Sequence, residues 1–286
     1  MNIITTQDGL LEMVDYYLTQ PAFAFDVETV GDDDFARVHP LLNKVTWIAF
    51  ATEGRVDVIP MGHPNGEFLF WEKPLLASGQ KRVDEGKEIR EQDFSKREDS
   101  WKAIFDDAPE QLLPGDVFKH IKPLMFSDKT KVGHNIKFDL KAIAKYYRGV
   151  VCPKPYFDTM MASFILDNRT KNGLGLDDCS KRELNKVVVK GIGHAVEKHA
   201  FSDVAKYAGI DAESTWELYK IYSVRLKERD MMTVWRLEMD LLLVLADMEL
   251  TGASIDIEEL DRLKKKIDID IVEITAEAYK IAGRGS

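Results

Sequence analysis

The sequence predicts an α/β fold: a mixed sheet, an antiparallel meander plus parallel strands, flanked by helices and followed by a C-terminal helical extension. Three observations carry this expectation. Runs rich in β-branched and aromatic residues crowd the N-terminal third, helical periodicity takes over from Val117, and the last segments are long helical stretches with no further strand.

In chain order, Ala22–Asp26, Lys44–Thr52 and Arg55–Pro60 read as strands, with Glu53-Gly54 as the tight turn between the last two. From Met61 to Gly115 the pattern degrades. Pro64, Asn65 and Gly66 make a turn and residues 80–107 are dense in charge, so 62–115 reads as a charged, partly helical surface insertion. Val117, Ile121, Leu124 and Met125 then share one helical face, Lys131–Gly133 is a short apolar strand, and Asp139–Tyr147 a helix. Helices at Thr159–Leu166, Leu176–Leu184 and Ser202–Arg229 follow, separated by glycine-bearing loops at 172–175 and 191–193. The last helix, Ile257–Ala282, carries Leu260, Leu263, Ile267, Ile271, Ile274, Ala278 and Ile281 at three- and four-residue spacing, a stripe that asks for a partner surface. Asp256 is its expected N-cap and Gly252 the break before it. The expected division is one domain over 1–225 and the helical start of a second over 226–286.

The chain has 286 residues with 39 Lys+Arg against 49 Asp+Glu, a net charge of −10. That balance argues against holding nucleic acid mainly through a basic surface, but not against reaching phosphates through bound metal. A hydrophobic share of 45% is that of a globular protein. Cys152 and Cys179 stand in no CxxC pair and at no zinc-ligand spacing, which fits a reducing compartment. No N-terminal leader pattern is present and no stretch approaches the ~20 apolar residues that cross a bilayer, so a cytoplasmic protein without a membrane partner is expected.

Asp26 and Glu28 stand at i and i+2 of a strand, so both carboxylates face one side. Like charges side by side are costly unless a cation lies between them, and hard oxygen ligands suit Mg²⁺ or Mn²⁺. Alone, such a pair reads as a solvated strand end. Asp139, at a helix start after a short strand, reads alone as an N-cap. Tyr207 and Asp211, four apart on a helix, project from one face, where a lone tyrosine is ordinary packing. His194 and His199, five apart in a glycine-bounded loop, do not align as a metal pair. Gly173-x-Gly175 and Gly191-x-Gly193 lack the lysine of a phosphate loop and read as loop glycines.

Taken together, Asp26 and Glu28, then Asn135, Phe138 and Asp139, then Tyr207 and Asp211 resemble the three motifs of the DnaQ-like 3′–5′ exonucleases, in the tyrosine-bearing branch. Lys206 stands where the other branch has its histidine. Phe157–Leu166 and Gly175–Asp178 resemble the connecting segments of the proofreading domain of bacterial DNA polymerase I and related phage family A polymerases. Leu237–Leu241 and Met248–Asp256 resemble the opening of the polymerase domain that follows it.

The resemblance implies a ribonuclease H-like sheet and two Mg²⁺ or Mn²⁺ ions held by Asp26, Glu28, Asp139 and Asp211, with Asp26 bridging. Tyr207 would orient the attacking water, since an unperturbed phenol titrates near ~10 and is a poor base, and its loss should cost less than loss of a ligand. The main chain at Thr29, together with Asn135, would meet the terminal nucleotide. Phe138 belongs to the core and Asp158 to a structural hydrogen bond, while Lys137, Lys141, Arg182, Lys186 and Lys190 are candidates for a strand-binding groove. The implied activity is removal of nucleotides from single-stranded or frayed DNA 3′ ends, proofreading for a family A polymerase in cis or on a separate chain. Polymerase activity itself is not expected. An RNA 3′-trimming enzyme of the same branch and an inactive polymerase scaffold remain as alternatives.

Overall fold

Along the strand Ala22–Val30, Phe23, Phe25 and Val27 alternate with Ala24, Asp26 and Glu28, so one face of the strand is bulky and the other small and acidic. The rest of the fold follows from that asymmetry. The protein is a computed structural model that describes residues 1–32, 34–63, 66–68, 104–106, 108–167, 173–186, 192 and 196–283.

The strands are β1 (Asn2–Ile3), β2 (Ala22–Val30), β3 (Lys44–Thr52), β4 (Arg55–Pro60), β5 (Gly66–Phe68), β6 (Ile104–Asp106), β7 (Thr130–Gly133) and β8 (Tyr156–Asp158). The helices are α1 (Gln7–Leu18), α2 (Asp34–Val38), α3 (Pro114–Met125), α4 (Ile136–Ala144), α5 (Thr159–Leu166), α6 (Leu176–Leu184), α7 (Phe201–Glu228), α8 (Met232–Thr251) and α9 (Ile257–Ile281). Six strands form one sheet in the order β1-β4-β3-β2-β7-β8, and β5 and β6 pair separately. The meander β2-β3-β4 is antiparallel, whereas β1 joins β4, β7 joins β2 and β8 joins β7 in parallel. The expected mixed sheet flanked by helices is what the chain adopts.

On the bulky face, Phe23, Phe25, Val27, Ile48 and Phe50 are buried with Leu10, Met13 and Tyr17 of α1, Phe118 and Ile121 of α3, and Leu140 and Ile143 of α4. Each such side chain, fully buried, contributes roughly 1.5–3 kcal/mol. On the other face Ala24, Ala49 and Ala51 meet Ala205, Ala208 and Ala212 of α7. Small residues on both sides let α7 lie directly against β2, β3 and β4. Gly209 completes this seam, because a Cβ there would come within 3.3 Å of Val58 Cγ2 and 2.5 Å of Met1 Sδ.

The structure departs from the sequence reading at several places. Strand β2 runs on to Val30, so Glu28 lies inside it rather than at its end. Helix α1 was not expected, although Leu10, Met13, Val14 and Tyr17 carry helical spacing and the Thr6 hydroxyl caps it by accepting from Gly9 N at 3.2 Å. The helix expected from Asp139 begins instead at Ile136 with Asn135 as N-cap, so Asp139 is not a cap. In the expected insertion, residues 66–68 and 104–106 are paired strands and α3 starts at Pro114. The charged run 81–99, Lys190, Gly191, Gly193 and His194 lie outside the described residues.

The chain divides into two compact units, Met1–Leu250 and Thr251–Ser286. Met239 and Leu242 of α8 are buried in the core of the first. In the second, Asp256 caps α9 by accepting from Glu259 N at 3.0 Å, and no residue of that helix is buried. Among the described residues no helix is long and apolar enough to cross a membrane.

Candidate active site

The acidic side chains converge where pairing between β2 and β7 ends. These strands pair through Ala22, Phe23 and Ala24, and β7 then stops at Gly133. A Cβ on Gly133 would meet Ile136 Cβ at 2.7 Å, so only glycine allows this turn into α4. Beyond Ala24 the amide of Val27 is free of β7, and it donates to Asp139 Oδ1 at 3.3 Å. The first turn of α4 thus delivers Asp139 to the C-terminal end of parallel strands, the edge where open α/β sheets place their ligands.

Opposite, α7 lies on the small-residue face and brings Tyr207 and Asp211 over Asp26 and Glu28. One carboxylate oxygen each from Asp26, Glu28 and Asp211 all lie within 4.8 Å of one another, a group that could hold a cation. Asp139 stands outside that trio but acts on it, since its charge raises the Glu28 proton affinity and that of Asp26 raises its own. The ladder between β2 and β3 shifts register between Glu28 and Thr29, a bulge that re-aims the strand at the site. Past it, Thr29 is buried and its hydroxyl donates to the Arg37 carbonyl at 3.0 Å.

The electrostatics are those of crowded buried acids. Burial pushes Asp26 well above the usual carboxylate range, with Asp211 adding to it. Glu28 is raised first by burial, then by Asp26, Asp211 and Asp139. Burial also raises Asp139, against a lowering contribution from the Val27 amide. Asp211 is pushed up to about 7 by burial despite a hydrogen bond from Tyr207. The Tyr207 phenol is itself raised by burial and then by Asp211, Glu28 and Asp26, so it stays protonated. Among the described residues, no lysine or arginine figures in the groups that offset these acids.

This arrangement has a signed consequence for stability. A carboxylate held above its unfolded value keeps a proton that the unfolded chain releases, so for Asp211 the folded state loses stability as pH rises from 3.8 to about 7. The metal-free protein is expected to melt at a lower temperature at about pH 8 than at about pH 5, and Mn²⁺ or Mg²⁺ to raise Tm more at the higher pH. Thermal unfolding with chelator and with metal at both pH values checks this. A Tm at about pH 8 that ignores the metal would contradict a cation site.

Around the acids, Asn135 adopts φ 61° and its exposed side chain makes no cap bond to α4. The cap comes from Asp158, buried at the end of β8. Its carboxylate accepts from Asn135 N and Ile136 N, both at 3.1 Å, and from Met160 N at 2.9 Å and Met161 N at 3.2 Å. One side chain thus closes the starts of α4 and α5, the structural role expected of it. Phe138 packs on the bulky-face core, also as expected. His134, not singled out from sequence, bonds Thr159 Oγ1 at 2.9 Å and the Leu174 carbonyl at 2.8 Å. Burial lowers it to about 4, so it is a neutral tie between α4 and the entry to α6. Its only sequence signal is its place between Gly133 and Asn135.

The candidate strand-binding cations are engaged by the protein itself. Lys137 pairs with Glu249 of α8 at 2.6 Å and Lys141 pairs with the same carboxylate. Lys186 pairs with Glu213 at 3.1 Å and Glu217 at 2.9 Å, and Arg182 donates to Ser163 Oγ at 2.8 Å.

Residues 99–227 match a family described as 3′–5′ exonuclease. DNA polymerase I of Rhizobium leguminosarum is 30% identical over 186 residues, which cover 62% of this chain and 18% of that protein. The chain therefore spans about a fifth of the length of such relatives, 18% and 20% for two of them. Among solved structures, Brucella melitensis NrnC with bound Mg²⁺ aligns with TM-score 0.54 and 19% identity over 90% of this chain and 94% of that one. Escherichia coli RNase D, an exoribonuclease involved in structured RNA processing, aligns with TM-score 0.55 and 15% identity over 89% and 52%.

Proposed function

We propose that this chain, whose residues 99–227 match a 3′–5′ exonuclease family, is a metal-dependent exonuclease that removes nucleotides from DNA 3′ ends. The observation that carries this reading is the convergence of Asp26, Glu28 and Asp211 within 4.8 Å, with Asp139 and Tyr207 beside them. Two Mg²⁺ or Mn²⁺ ions suit donors of this kind, hard carboxylate oxygens of which those of Glu28 and Asp211 are buried. Such ions, when bound, supply an activated water and neutralise the leaving oxygen of a phosphodiester. Asp26, Glu28, Asp139 and Asp211 would hold them. Tyr207, kept protonated and hydrogen-bonded to Asp211, orients the water instead of taking its proton. The main chain at Thr29, just past the bulge, and the exposed side chain of Asn135 receive the terminal nucleotide.

The substrate is a single-stranded or frayed DNA 3′ end, and the partner is a family A polymerase, in cis or on a separate chain, for which this domain proofreads. Residues 226–286 are then the opening of a polymerase domain, and the setting is cytoplasmic. A second reading, trimming of RNA 3′ ends, draws on the fold shared with RNase D. Release of mononucleotides from DNA and RNA of one sequence, each with free or blocked 3′ ends, decides between them. Faster release from free-ended DNA and none from blocked strands is the expected result. Faster release from RNA would overturn the choice of substrate, and release from a blocked 3′ end would overturn the polarity.

A further inference from the structure

Lys137, Lys141 and Lys186 are already paired with glutamates, so the body of a bound strand needs other cations on this acidic chain. We propose that a second nucleic-acid contact lies at the far end of α4 and takes the phosphodiester backbone of the strand upstream of its 3′ end. The contact is a hollow of about 560 Å³ between α3 and the turn after α4, lined by Phe118, Lys119, Lys122, Tyr146, Tyr147 and Arg148 among others. This rests on the exonuclease reading and extends it to how the strand is held.

Four observations point there. Three cations and no acid line the hollow, in a chain of net charge −10. Among the described residues none of Lys119, Lys122 and Arg148 forms an ion pair, whereas Lys137, Lys141, Lys154, Lys186, Lys220 and Arg225 all do. Aromatic packing backs the wall and fixes it: Tyr146 stacks on the buried Phe118 with centroids 3.9 Å apart at 14°, and the buried Tyr147 meets Phe118 edge-on. Arg148 closes the turn after α4 with φ 57°, which sets its guanidinium at the rim of the hollow.

Placement agrees with chemistry. Lys145 follows α4, which ends at Ala144, and Arg148 caps the single turn Lys145–Tyr147 after it. At 1.5 Å per residue, Arg148 stands on the order of 15 Å along the helix direction from Asp139. A strand whose end lies at the carboxylates has a distance of that order to span before it meets the hollow. Phosphate contacts from such cations give sequence-independent strand binding its affinity and its salt dependence.

The test is the affinity of the metal-free protein for a DNA dodecamer and a dinucleotide, followed by fluorescence anisotropy against salt concentration. The variant combines Lys119→Ala, Lys122→Ala and Arg148→Gly, glycine being chosen because it accepts the left-handed conformation at that position. At about 0.7 per single-strand phosphate contact, the slope of log K against log salt for the dodecamer should fall by roughly 2. Dinucleotide affinity and its Mn²⁺-dependent cleavage should stay as in the wild type. A control combining Lys264→Ala, Lys265→Ala and Lys266→Ala removes the same charge from exposed positions of α9 and should leave the dodecamer slope unchanged. An unchanged slope in the first variant, an equal loss on the dinucleotide, or an equal loss in the control overturns the contact. A wild-type protein that shows the expected slope yet cleaves neither strand overturns the nuclease reading instead, and leaves this contact supported.

Discussion

Replacing Asp26 and Glu28 together with alanine is expected to abolish nucleotide release while the fold stays intact. Both side chains lie on the strand face that carries Ala24 and packs against α7, so alanines fit the existing seam. Their removal also deletes two crowded carboxyls whose ionisation the folded state opposes, and the metal-free variant should melt at a higher temperature than wild type near neutral pH. Metal-assisted charge stabilisation is worth several kcal/mol. At about 1.36 kcal/mol per tenfold, its loss corresponds to roughly a thousandfold or more in rate. Tyr207→Phe should cost less, about a hundredfold at most, the low end for a side chain that positions a proton. Release assays with Mn²⁺ and parallel melting curves read both effects. Substantial activity in the double variant, with the fold retained, would sink the site assignment.

Asp158→Ala is expected to be the most destabilising single change near the site, although Asp158 is not assigned any metal. Its carboxylate is the acceptor for four backbone amides at the starts of α4 and α5. Losing one cap costs about 1 kcal/mol, and leaving a buried donor unpaired about 1–3 kcal/mol. With two helix starts opened, a loss of roughly 2–5 kcal/mol follows. Asp158→Asn keeps one acceptor oxygen and should lose less. Urea denaturation of both variants measures this, and an Asp158→Ala protein as stable as wild type but inactive would move the residue from scaffold to chemistry.

What could be read from sequence follows the length over which a pattern repeats. Lys44–Thr52 and Arg55–Pro60 were legible because alternation persists across each strand, and α7 because its pattern runs for 28 residues. Strands β1 and β8, of 2 and 3 residues, are too short to show a period. In α1 the spacing is present, but Gly9 sits in its first turn and weakens the start by about 1 kcal/mol relative to alanine. At the site, spacing along one strand or helix paired Asp26 with Glu28 and Tyr207 with Asp211. The true cap of α4 was hidden because its acceptor, Asp158, lies 23 residues after Asn135. The loss of Lys137 and Lys141 as free cations was hidden further still, since their partner Glu249 is 112 and 108 residues away and arrives only when α8 packs.

The alanine seam between α7 and the sheet acts as a spacer gauge. Ala24, Ala49, Ala205, Ala208 and Ala212 touch no reacting group, yet their thickness fixes how far Asp211 stands from Asp26 and Glu28. One added methylene there would shim α7 outward and widen the trio. Mg²⁺ demands near-ideal octahedral geometry at 2.0–2.1 Å, roughly, and larger ions tolerate more. Small residues that carry no charge thereby help set the width of the carboxylate trio.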